Sequence, residues 1–496
     1  MGRRESEGRG LDRGRREFIR RTAIASAAPV VVGRLAWAEG MAGAAGADGT
    51  AALPRVVHVH HGGAARWPRT TGKYRDFLDQ VSIDRMLDQA VMVLKDAGVD
   101  EAWRRVFPLA APATRKLAIK VNLDNATDPV EGAGDIIDAV PEPCIAVIKG
   151  FVRAGGLPVN CTIYDATNTQ PTRYMATWFK NRVKAVFPGV KFQAAGGGEG
   201  FADGNDDPWS GASGDAPDPR TYVTWSPAYV SPPPDTRIAG VALSADYLVN
   251  VPIVKKHGQA NVTLGYKAHL GSIDRADRMH PWLFNDVPEA SVLADIMGSP
   301  VVPGDPSVRS LAQRTVLTVG DLLYGQPCKN FGVVPRPWAI FRNEWPSHLV
   351  VSDDPVAADS VMIDILEAEP ATEGGCGSSR SWARRYLQYA EAKGQGVHEH
   401  VALPQGQLFD PARMTYARID YRFVDLHSSG AILTVTRLAN GAALLQWTHY
   451  LPGACEIWRA TKPDFSDALM LGASPTGMFV DNSPLPKAFY SVLYGG

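Results

Sequence analysis

The sequence predicts an α/β protein, built as a mostly parallel sheet with helices on both faces, plus a small C-terminal all-β sandwich. Continuous apolar runs such as LAIKVN and DYLVNVPIV alternate with helix-like segments along most of the 496 residues. Strands separated by helices are typical of a parallel sheet that is covered on both faces. After about residue 425 the pattern changes to short alternating strands with no helix signal, which indicates a second and smaller β unit.

The first 38 residues resemble a twin-arginine export signal. Arg15 and Arg16 precede Phe18, and a short alanine-rich apolar segment with a small-residue cleavage pattern follows. A Sec signal or a basic disordered tail is the alternative. We therefore expect a signal peptide at 1–38, a flexible Gly/Ala linker at 39–54, the twin-arginine translocase as a partner during export, and a periplasmic or secreted mature protein.

The charge and cysteine content of the mature chain exclude several classes of protein. Removing the signal takes away nine arginines and four acidic residues, which changes the formal net charge from −1 to −6. An acidic chain argues against nucleic acid as a partner, and no apolar stretch is long enough to span a membrane after signal removal. The five cysteines are far apart and form no CxxC pair, so nothing indicates a zinc site or a ferredoxin-type iron-sulfur motif, although an exported protein can form one or two disulfides.

The α/β domain is expected over residues 55–405, and its elements follow in order. Residues 82–98 are predicted to form a helix with Ser82 as N-cap and Gly98 as its end. Then come strand LAIKVN, helix CIAVIKGFVR, strand CTIYDAT, helix MATWFKNRVKAVF, and the buried strands DYLVNVPIV, RTVLTVGDL and SHLVVSD. A loop insertion rich in Gly, Asp and Pro, residues 196–236, interrupts this order, and its DGNDD run lacks the glycine and glutamate that a calcium loop needs.

Polar residues at the ends of the predicted strands are candidate ligand-binding residues. Ligands of open parallel sheets bind outside the carboxyl ends of the strands, although Asn and Asp also commonly begin turns there. The candidates are Lys120, Asn122, Asp165, Asn250, Lys255, Lys256, Asp321, Asp353 and Asp354. If they converge, they form a site that carries charges of both signs.

Residues 251–280 combine three histidines and five cationic side chains with very little acid. Lysines of this segment can hold phosphate or carboxylate groups, and Lys267 would share a helix face with Thr263 if NVTLGYKAHL is helical. The histidines can move protons or bind a metal, but their spacing matches no metal motif. Hydrogen-bonded histidines without a function are the alternative. The candidate catalytic residues are His257, Lys267, His269 and His280.

One predicted helix carries two aspartates with different expected roles. Asp354 precedes Pro355 and is expected to be the N-cap. Asp359 falls on the apolar face of the helix, where a carboxylate needs a partner. Its expected partners are the lysines and histidines of residues 251–280 or a metal ion. The HVHH and HEH runs at 58–61 and 398–400 are expected to be surface or packing histidines, with a cation site as the alternative.

Residues 425–496 resemble a fibronectin type III-like module. Short strands such as ALLQW and CEIWRA are separated by turn residues. Trp447 is the expected buried tryptophan of the sandwich, and residues 456–459 are expected to form the following strand.

Several motifs of the chain resemble the domain of unknown function 362 family over roughly residues 55–400. The strand IKVNL, the run VNVPIVKKHGQANVTLGYKAHLGSI, His280, the strand LTVGDLLYG and the run SDDPVAADSV at 352–361 occur in the order found in that family. The resemblance implies an α/β domain whose activity is not established. Some members carry cysteine-rich iron-sulfur modules, which this chain lacks, and members usually have an asparagine where this chain has Ala268.

These features together predict an exported protein that binds a small anionic ligand or a metal or cofactor at the carboxyl edge of the sheet. Asp354 and Asp359 would supply counter-charges, and whether the protein is an enzyme stays open. Twin-arginine export carries folded proteins, which favours a bound prosthetic group of unknown identity; rapid folding is the alternative. The alternative function is a non-catalytic periplasmic or cell-surface binding or scaffold protein that acts through its C-terminal module.

Overall fold

A computed structural model of the chain describes residues 52–109, 111, 113–123, 137–166, 175–194, 197–199, 209, 218–257, 260–283, 290–327, 334–370, 384–426, 433–438, 440, 442–447, 455–461, 469–474, 478–483, 485 and 489–494. The predicted signal peptide, most of the linker and much of the insertion at 196–236 lie outside these residues. Among the described helices, none combines the length and the apolar character that a membrane crossing requires.

Eleven strands form one large, mostly parallel sheet. They are β1 (Arg55–His60), β2 (Leu117–Val121), β3 (Cys161–Asp165), β4 (Lys191–Ala194), β5 (Gly197–Glu199), β6 (Tyr247–Val251), β7 (Ile253–His257), β8 (Asn261–Thr263), β9 (Thr315–Gln326), β10 (His348–Ser352) and β11 (Asp420–Asp425). The order is β11-β1-β10-β9-β6-β2-β3-β4-β5, and β7 pairs with the later half of β9 and with β8. Strands β5, β8 and β10 run opposite to the others.

Helices cover both faces of this sheet. They are α1 (Gln80–Lys95), α2 (Val99–Val106), α3 (Pro141–Arg153), α4 (Thr177–Val186), α5 (Gly240–Ser244), α6 (Gly265–Ala268), α7 (His280–Leu283), α8 (Val292–Met297), α9 (Leu311–Arg314), α10 (Pro355–Ala368) and α11 (Arg385–Ala392). Single 3₁₀ turns lie at Tyr74–Asp76, Pro158–Asn160, His269–Ser272, Ala276–Met279, Ala339–Phe341 and Pro411–Arg413. Apolar side chains of α1 to α4 pack on one face, and those of α8, α10 and α11 pack on the other. The α/β class with helices on both faces is therefore as the sequence predicts.

Helix α1 begins and ends earlier than its sequence predicts. Its N-cap is Asp79, whose carboxylate accepts the backbone N–H of Ser82 at 2.9 Å, so Ser82 lies inside the first turn. The helix ends at Asp96, which adopts the left-handed conformation that glycine more often supplies, two residues before Gly98. Asp79, three residues before Ser82, accepts the N–H of Ser82 itself and therefore starts the helix about one turn earlier.

The run NVTLGYKAHL is not one helix. Residues Asn261–Thr263 form β8, because Thr263 pairs with Lys255 of β7, and α6 starts only at Gly265. The predicted shared helix face of Thr263 and Lys267 is therefore wrong. The β7–β8 hairpin is the tertiary pairing that overrides the local pattern.

The C-terminal part contains two small antiparallel sheets. The strands are β12 (Leu433–Arg437), β13 (Ala443–Trp447), β14 (Cys455–Ala460), β15 (Leu469–Ser474), β16 (Met478–Asp481) and β17 (Phe489–Tyr494), in the orders β12-β13-β16 and β15-β14-β17. Ala443, Leu445 and Ile457 form a small buried core, whereas the side chain of Trp447 lies outside the described residues. Strand β11, which follows the predicted domain end at 405, still belongs to the large sheet.

Candidate functional site

A row of polar side chains crosses the centre of the large sheet on the face that α10 covers. Tyr164, Lys120, Asn250 and Thr318 are successive register partners on β3, β2, β6 and β9. Directly paired residues share a face of a sheet, and their apolar neighbours in sequence point to the opposite face. The continuous apolar strands therefore place four polar side chains side by side under a helical layer.

Lys120 is the cation of this row. Its side chain is fully buried, and its Nζ lies 3.3 Å from Asp165 Oδ1 and donates to the carbonyl of Val121. The other carboxylate oxygen of Asp165 accepts the backbone N–H of Leu123 at 2.8 Å. A buried ammonium needs such partners because removing it from water costs several kcal/mol. The sequence predicted both residues as candidates, and the structure brings them together.

The segment that carries α6 and the next 3₁₀ turn lies over this row. Asp359 of α10 accepts the backbone N–H groups of Gly265 and Tyr266 at 2.8 and 3.0 Å and the hydroxyl of Tyr386 at 2.9 Å. Asn250 donates to the carbonyl of Gly265 at 2.8 Å. Asp359 is buried, as predicted, but its protein partners are backbone amides and a tyrosine instead of the expected lysines or histidines. Burial raises the pKa of Asp359 to about 7.

Gly271 lets the segment approach the ion pair closely. A Cβ atom at this position would lie 1.9 Å from Asp165 Oδ1 and 2.6 Å from Lys120 Nζ. The carbonyl of Gly271 accepts the N–H of Ala166 at 2.7 Å, which ties the segment to the end of β3. Three residues later, the backbone and guanidinium of Arg237 both donate to Asp274 at 2.9 Å. The segment is thus held on both sides of Gly271.

His269 is the buried imidazole of this site. Its Nδ1 lies 2.9 Å from Ser272 Oγ, and Ser272 Oγ lies 3.0 Å from the hydroxyl of Tyr164. Burial, and then the charge of Lys120, lower the pKa of His269 to about 3, so the imidazole is neutral. Its Nε2 is buried and makes no hydrogen bond in the part of the chain that the structure describes.

Three further buried oxygens near this segment have no hydrogen-bond partner among the described residues. They are Asn250 Oδ1, Thr263 Oγ1 and Thr318 Oγ1. Buried polar atoms are normally paired, so a group of unpaired ones beside a buried cation is unusual. Such atoms are able to contact a bound molecule.

The remaining residues of the 251–280 segment are also buried. Lys255, Lys256 and Lys267 lie on β7 and α6, and Lys255 faces Thr263 across the hairpin. His257 Nδ1 accepts the N–H of Ala260 at 3.0 Å, which fixes the hairpin turn and leaves the proton of a neutral ring on Nε2. The side chain of His280 lies outside the described residues.

Asp321 lies on the opposite face of the sheet from Lys120. Thr318 shares the face of Asn250, so Asp321, three residues later, points to the side of α3. Burial raises its pKa to about 6, and its carboxylate accepts the N–H of Leu323. Asn122 is buried at the end of β2, where its carbonyl accepts the N–H of Ala139. The structure therefore does not bring Asp321 to the lysines.

Asp353 and Asp354 lie at the other edge of the sheet. Strand β10 is antiparallel to β9, so its carboxyl end meets the amino ends of the parallel strands. Asp354 is the N-cap of α10, as predicted: its Oδ1 accepts the N–H groups of Val356 and Ala357 at 2.9 Å. Burial raises its pKa to about 7. Asp353 forms an ion pair with Lys95.

The histidine-rich run at 58–61 packs within the sheet, and the run at 398–400 is hydrogen-bonded to α10. His58 bonds Tyr421 through Nδ1 and His348 through Nε2, and burial lowers its pKa to about 3. His398 Nδ1 lies 2.8 Å from Ser360 Oγ, and His400 Nδ1 lies 2.5 Å from Asp364 Oδ1. Both contacts fasten residues 398–400 along α10.

One group in the described part of the chain has the proximity that a metal site needs. Ligand atoms of Asp364, Glu367 and His400 lie within 4.8 Å of one another. Asp364 is already bonded to His400, the N–H of Val401 and the hydroxyl of Tyr416, and Glu367 is paired with Arg384. These partners, including a guanidinium, favour a structural network over a cation site. Cys144 and Cys161 are both buried and free.

Sequence reasoning missed two residues of the site, Ser272 and Tyr164. They are 108 residues apart and carry no motif. The one available signal for Tyr164 is its place in a buried strand, where alternation sets it on the face opposite to Ile163.

Comparison with known proteins relates part of the chain to a domain family. No curated protein matches the chain. Residues 211–364 match the family model described as Domain of unknown function (DUF362), and this stretch contains Lys255, Lys267 and His269 but neither Lys120 nor Asp165. The chain therefore carries, over residues 211–364, a match to a domain family of uncharacterised function.

Proposed function

We propose that the protein binds a small anionic ligand at the Lys120 site, which we define as Lys120, Asp165, Tyr164, Asn250, His269 and Ser272. One observation carries the proposal. The fully buried ammonium of Lys120 lies against the short segment His269–Ser272. The same segment carries a fully buried imidazole nitrogen, His269 Nε2, that makes no hydrogen bond in the described part of the chain. Buried groups of this kind, at the carboxyl half of a parallel sheet, are the usual lining of a ligand site.

Two buried ammonium groups support an anion as the ligand. Lys120 has Asp165 as its carboxylate partner, while Asp359, the other buried carboxylate over this row, is already bonded to two backbone N–H groups and a tyrosine. Lys267, on α6 above the sheet, is buried as well. Ammonium groups act as point charges toward phosphate and carboxylate oxygens.

We further propose that the mature protein acts in the periplasm or outside the cell after twin-arginine export. The paired arginines and the alanine-rich segment of residues 1–38 support this placement. The formal net charge of −6 that removing residues 1–38 would leave supports small molecules over nucleic acid as partners.

The test uses the mature chain purified after its own export. Elemental analysis and native mass spectrometry report what the chain retains, and calorimetry measures binding of inorganic phosphate and of malonate. Lys120→Met and Lys267→Gln are expected to weaken binding roughly 10- to 100-fold, the worth of one charged hydrogen bond. Lys149→Gln is the matched control, because Lys149 of α3 pairs with Asp84 of α1, on the other face of the sheet.

Two outcomes would overturn the proposal. The first is unchanged phosphate and malonate binding in both lysine variants when circular dichroism shows that they are folded. The second is a wild-type chain that retains no anion and binds neither probe.

A second candidate function rests on exposed apolar side chains of the C-terminal module, which we propose is fibronectin type III-like. Val435, Leu469, Met470, Met478 and Val480 are all exposed. Met478 and Val480 are alternate residues of β16 and therefore lie on one face of it, and exposed apolar groups that adjoin in this way are a feature of interaction surfaces. A scaffold or cell-surface role predicts that the mature chain co-sediments with purified cell-wall polymer, and that the double variant Met478→Lys, Val480→Lys does not while it still binds phosphate.

A further inference from the structure

We propose that His269 serves the Lys120 site as a neutral hydrogen-bond donor, with its Nε2–H bound to an oxygen of the ligand beside the Lys120 ammonium. The ligand class is then an oxyanion, a carboxylate or a phosphate, and not a metal ion or an organic cation. This inference rests on the proposed function and names the chemistry of the ligand. It depends on where the proton of a neutral imidazole lies.

The proton position follows from a chain of three buried groups. Ser272 Oγ lies between His269 Nδ1 at 2.9 Å and the Tyr164 hydroxyl at 3.0 Å, and these are its hydrogen-bond partners among the described residues. All three side chains are buried. The serine and the tyrosine each bring one proton, and the neutral ring brings one more.

Three arrangements of these protons are possible. If Tyr164 donates to Ser272 and Ser272 donates to Nδ1, both hydroxyl protons are bonded and the ring proton lies on Nε2. If Nδ1–H donates to Ser272, then either the serine or the tyrosine proton has no acceptor among the described residues. Nε2 has no partner among those residues in any of the three arrangements, so the first leaves one polar group unpaired and each of the others leaves two. An additional buried donor without an acceptor costs about 1–3 kcal/mol. The first arrangement is therefore favoured, and it makes Nε2 a donor.

A second serine–histidine pair in the same protein shows how this reasoning discriminates. Ser360 Oγ lies 2.8 Å from His398 Nδ1, but it also donates to the carbonyl of Val356 at 2.8 Å. A carbonyl accepts and cannot donate, so it takes the serine proton. His398 Nδ1 must then carry the ring proton and donate to Ser360. The two pairs are thus assigned opposite tautomers.

The tautomer of His269 decides what its free nitrogen can bind. An Nε2 that carries a proton has no lone pair for a metal ion and cannot accept a proton as a base. It needs an acceptor, and the ammonium of Lys120, which is paired with Asp165, makes its surroundings unfavourable for a second positive charge. An oxyanion supplies the acceptor and is compatible with the ammonium, whereas a metal ion or an organic cation offers neither.

Nitrogen-15 NMR of the full mature chain, labelled at histidine, reads the tautomer directly. The chain has 11 histidines, so the spectrum is small, and loss of one signal set in His269→Gln assigns the residue. We expect a neutral His269 ring protonated at Nε2, and a His398 ring protonated at Nδ1. In Ser272→Ala, which removes the hydrogen-bond partner of Nδ1, the His269 ring is expected no longer to be held in the Nε2–H tautomer. The matched control Ser360→Ala is expected to change only the signals of His398.

Binding of inorganic phosphate and malonate, measured by calorimetry, tests the role toward the ligand. His269→Gln keeps an N–H donor and is expected to bind within a few-fold of wild type, whereas His269→Leu is expected to lose roughly 10- to 100-fold. Preference for one probe identifies the oxyanion as phosphate or carboxylate.

The outcomes separate this inference from the proposed function. Anion binding with His269 protonated at Nδ1, or a signal of His269 that Zn²⁺ shifts through Nε2, overturns the donor role and leaves the binding site in place. No binding of either anion by the wild-type chain, with the expected tautomer, overturns the proposed function and with it the role toward a ligand. Equal affinities of the Gln and Leu variants overturn the donor role alone.

Discussion

Two serine–histidine pairs among the described residues differ in the group that stands behind the serine. The distances from Nδ1 to the serine oxygen are 2.9 Å for His269 and 2.8 Å for His398, and burial lowers the pKa of both rings, to about 3 and about 4. Behind Ser272 stands a tyrosine hydroxyl, and behind Ser360 stands a backbone carbonyl. Residue type and distance therefore do not fix the chemistry of a histidine. The ring proton lies on Nε2 unless the group behind the serine takes the serine proton, as the carbonyl behind Ser360 does.

The surroundings of the two pairs differ as well. After burial, the main influence on His269 is the charge of Lys120, which opposes protonation, whereas His398 has the carboxylate of Glu391 nearby, which favours it. The first pair thus stays neutral beside a cation, and the second lies in a network that fastens residues 398–400 to α10. The predictions below test this contrast.

The largest effect is expected from Gly271→Ala, which disturbs the packing around the His269–Ser272 pair. The new methyl group would overlap the Asp165 carboxylate and the Lys120 ammonium, so the segment that carries His269 must move. Overpacking of this kind costs about 3 kcal/mol in the free energy of unfolding, which urea denaturation measures.

The control for this substitution is Gly98→Ala, because no atom lies within 4 Å of a Cβ at that position. Gly271→Ala is expected to lose phosphate binding while the NMR signals of His398 stay unchanged, and Gly98→Ala is expected to keep both. A Gly271→Ala chain with wild-type stability and binding would show that the close approach at Lys120 has no importance.

A smaller effect is expected from Asp359→Asn. The carboxylate accepts two backbone N–H groups of α6 and one tyrosine hydroxyl, and an amide has only one oxygen to offer. We expect a loss of about 2 kcal/mol in the free energy of unfolding and faster hydrogen exchange at Gly265 and Tyr266. Tyr386→Phe removes one of the three bonds and should cost about half as much. Unchanged exchange at both amides would contradict the anchoring role.

Acid should weaken the fold through both histidines. Their pKa values in the folded protein, about 3 and about 4, lie below the value of 6.5 in the unfolded chain. The stability contributed by each neutral ring is thus present above about pH 6.5 and is lost as the pH falls toward the folded value. One such group changes the free energy of unfolding by up to about 1.4 kcal/mol per pH unit.

Replacing either histidine by glutamine should make stability less dependent on pH. Urea denaturation between pH 6.5 and 4 is expected to show the reduced slope in His269→Gln and in His398→Gln. Below the folded pKa of His398, about 4, only His269→Gln should still differ in slope from wild type. Identical slopes in wild type and both variants would mean that these rings are protonated in the folded protein.

The sequence was sufficient for much of the fold around the site. Strands β2, β3 and β6 are continuous buried runs, and the same apolar alternation places Lys120 on one face and Ile119 on the other. The Asp-Pro pair predicted the start of α10, and the apolar periodicity of the helix predicted the burial of Asp359. These features depend on local pattern alone, so a single sequence contains them.

The rest of the site depends on tertiary relations that local pattern does not contain. The reversed direction of β10 puts Asp354 at the far edge of the sheet, and alternation along β9 turns Asp321 away from Lys120. The partners of Asp359 are backbone amides, which have no signature in a sequence. Ser272 and Tyr164 come together only because the segment folds back over β3.

The smallest expected effect is that of Tyr164→Phe, and it sharpens the comparison most. Phenylalanine removes the donor to Ser272 but takes no proton from it, so Ser272 still donates to His269 Nδ1. We expect a loss of about 1 kcal/mol in the free energy of unfolding and an unchanged Nε2–H tautomer. Tyr247→Phe is the matched control, because it removes a single tyrosine donor, to the carbonyl of Pro108, away from the site. Were the ring proton to move to Nδ1 in Tyr164→Phe alone, the tyrosine donor would be the group that fixes the proton, and the free serine hydroxyl would not be sufficient.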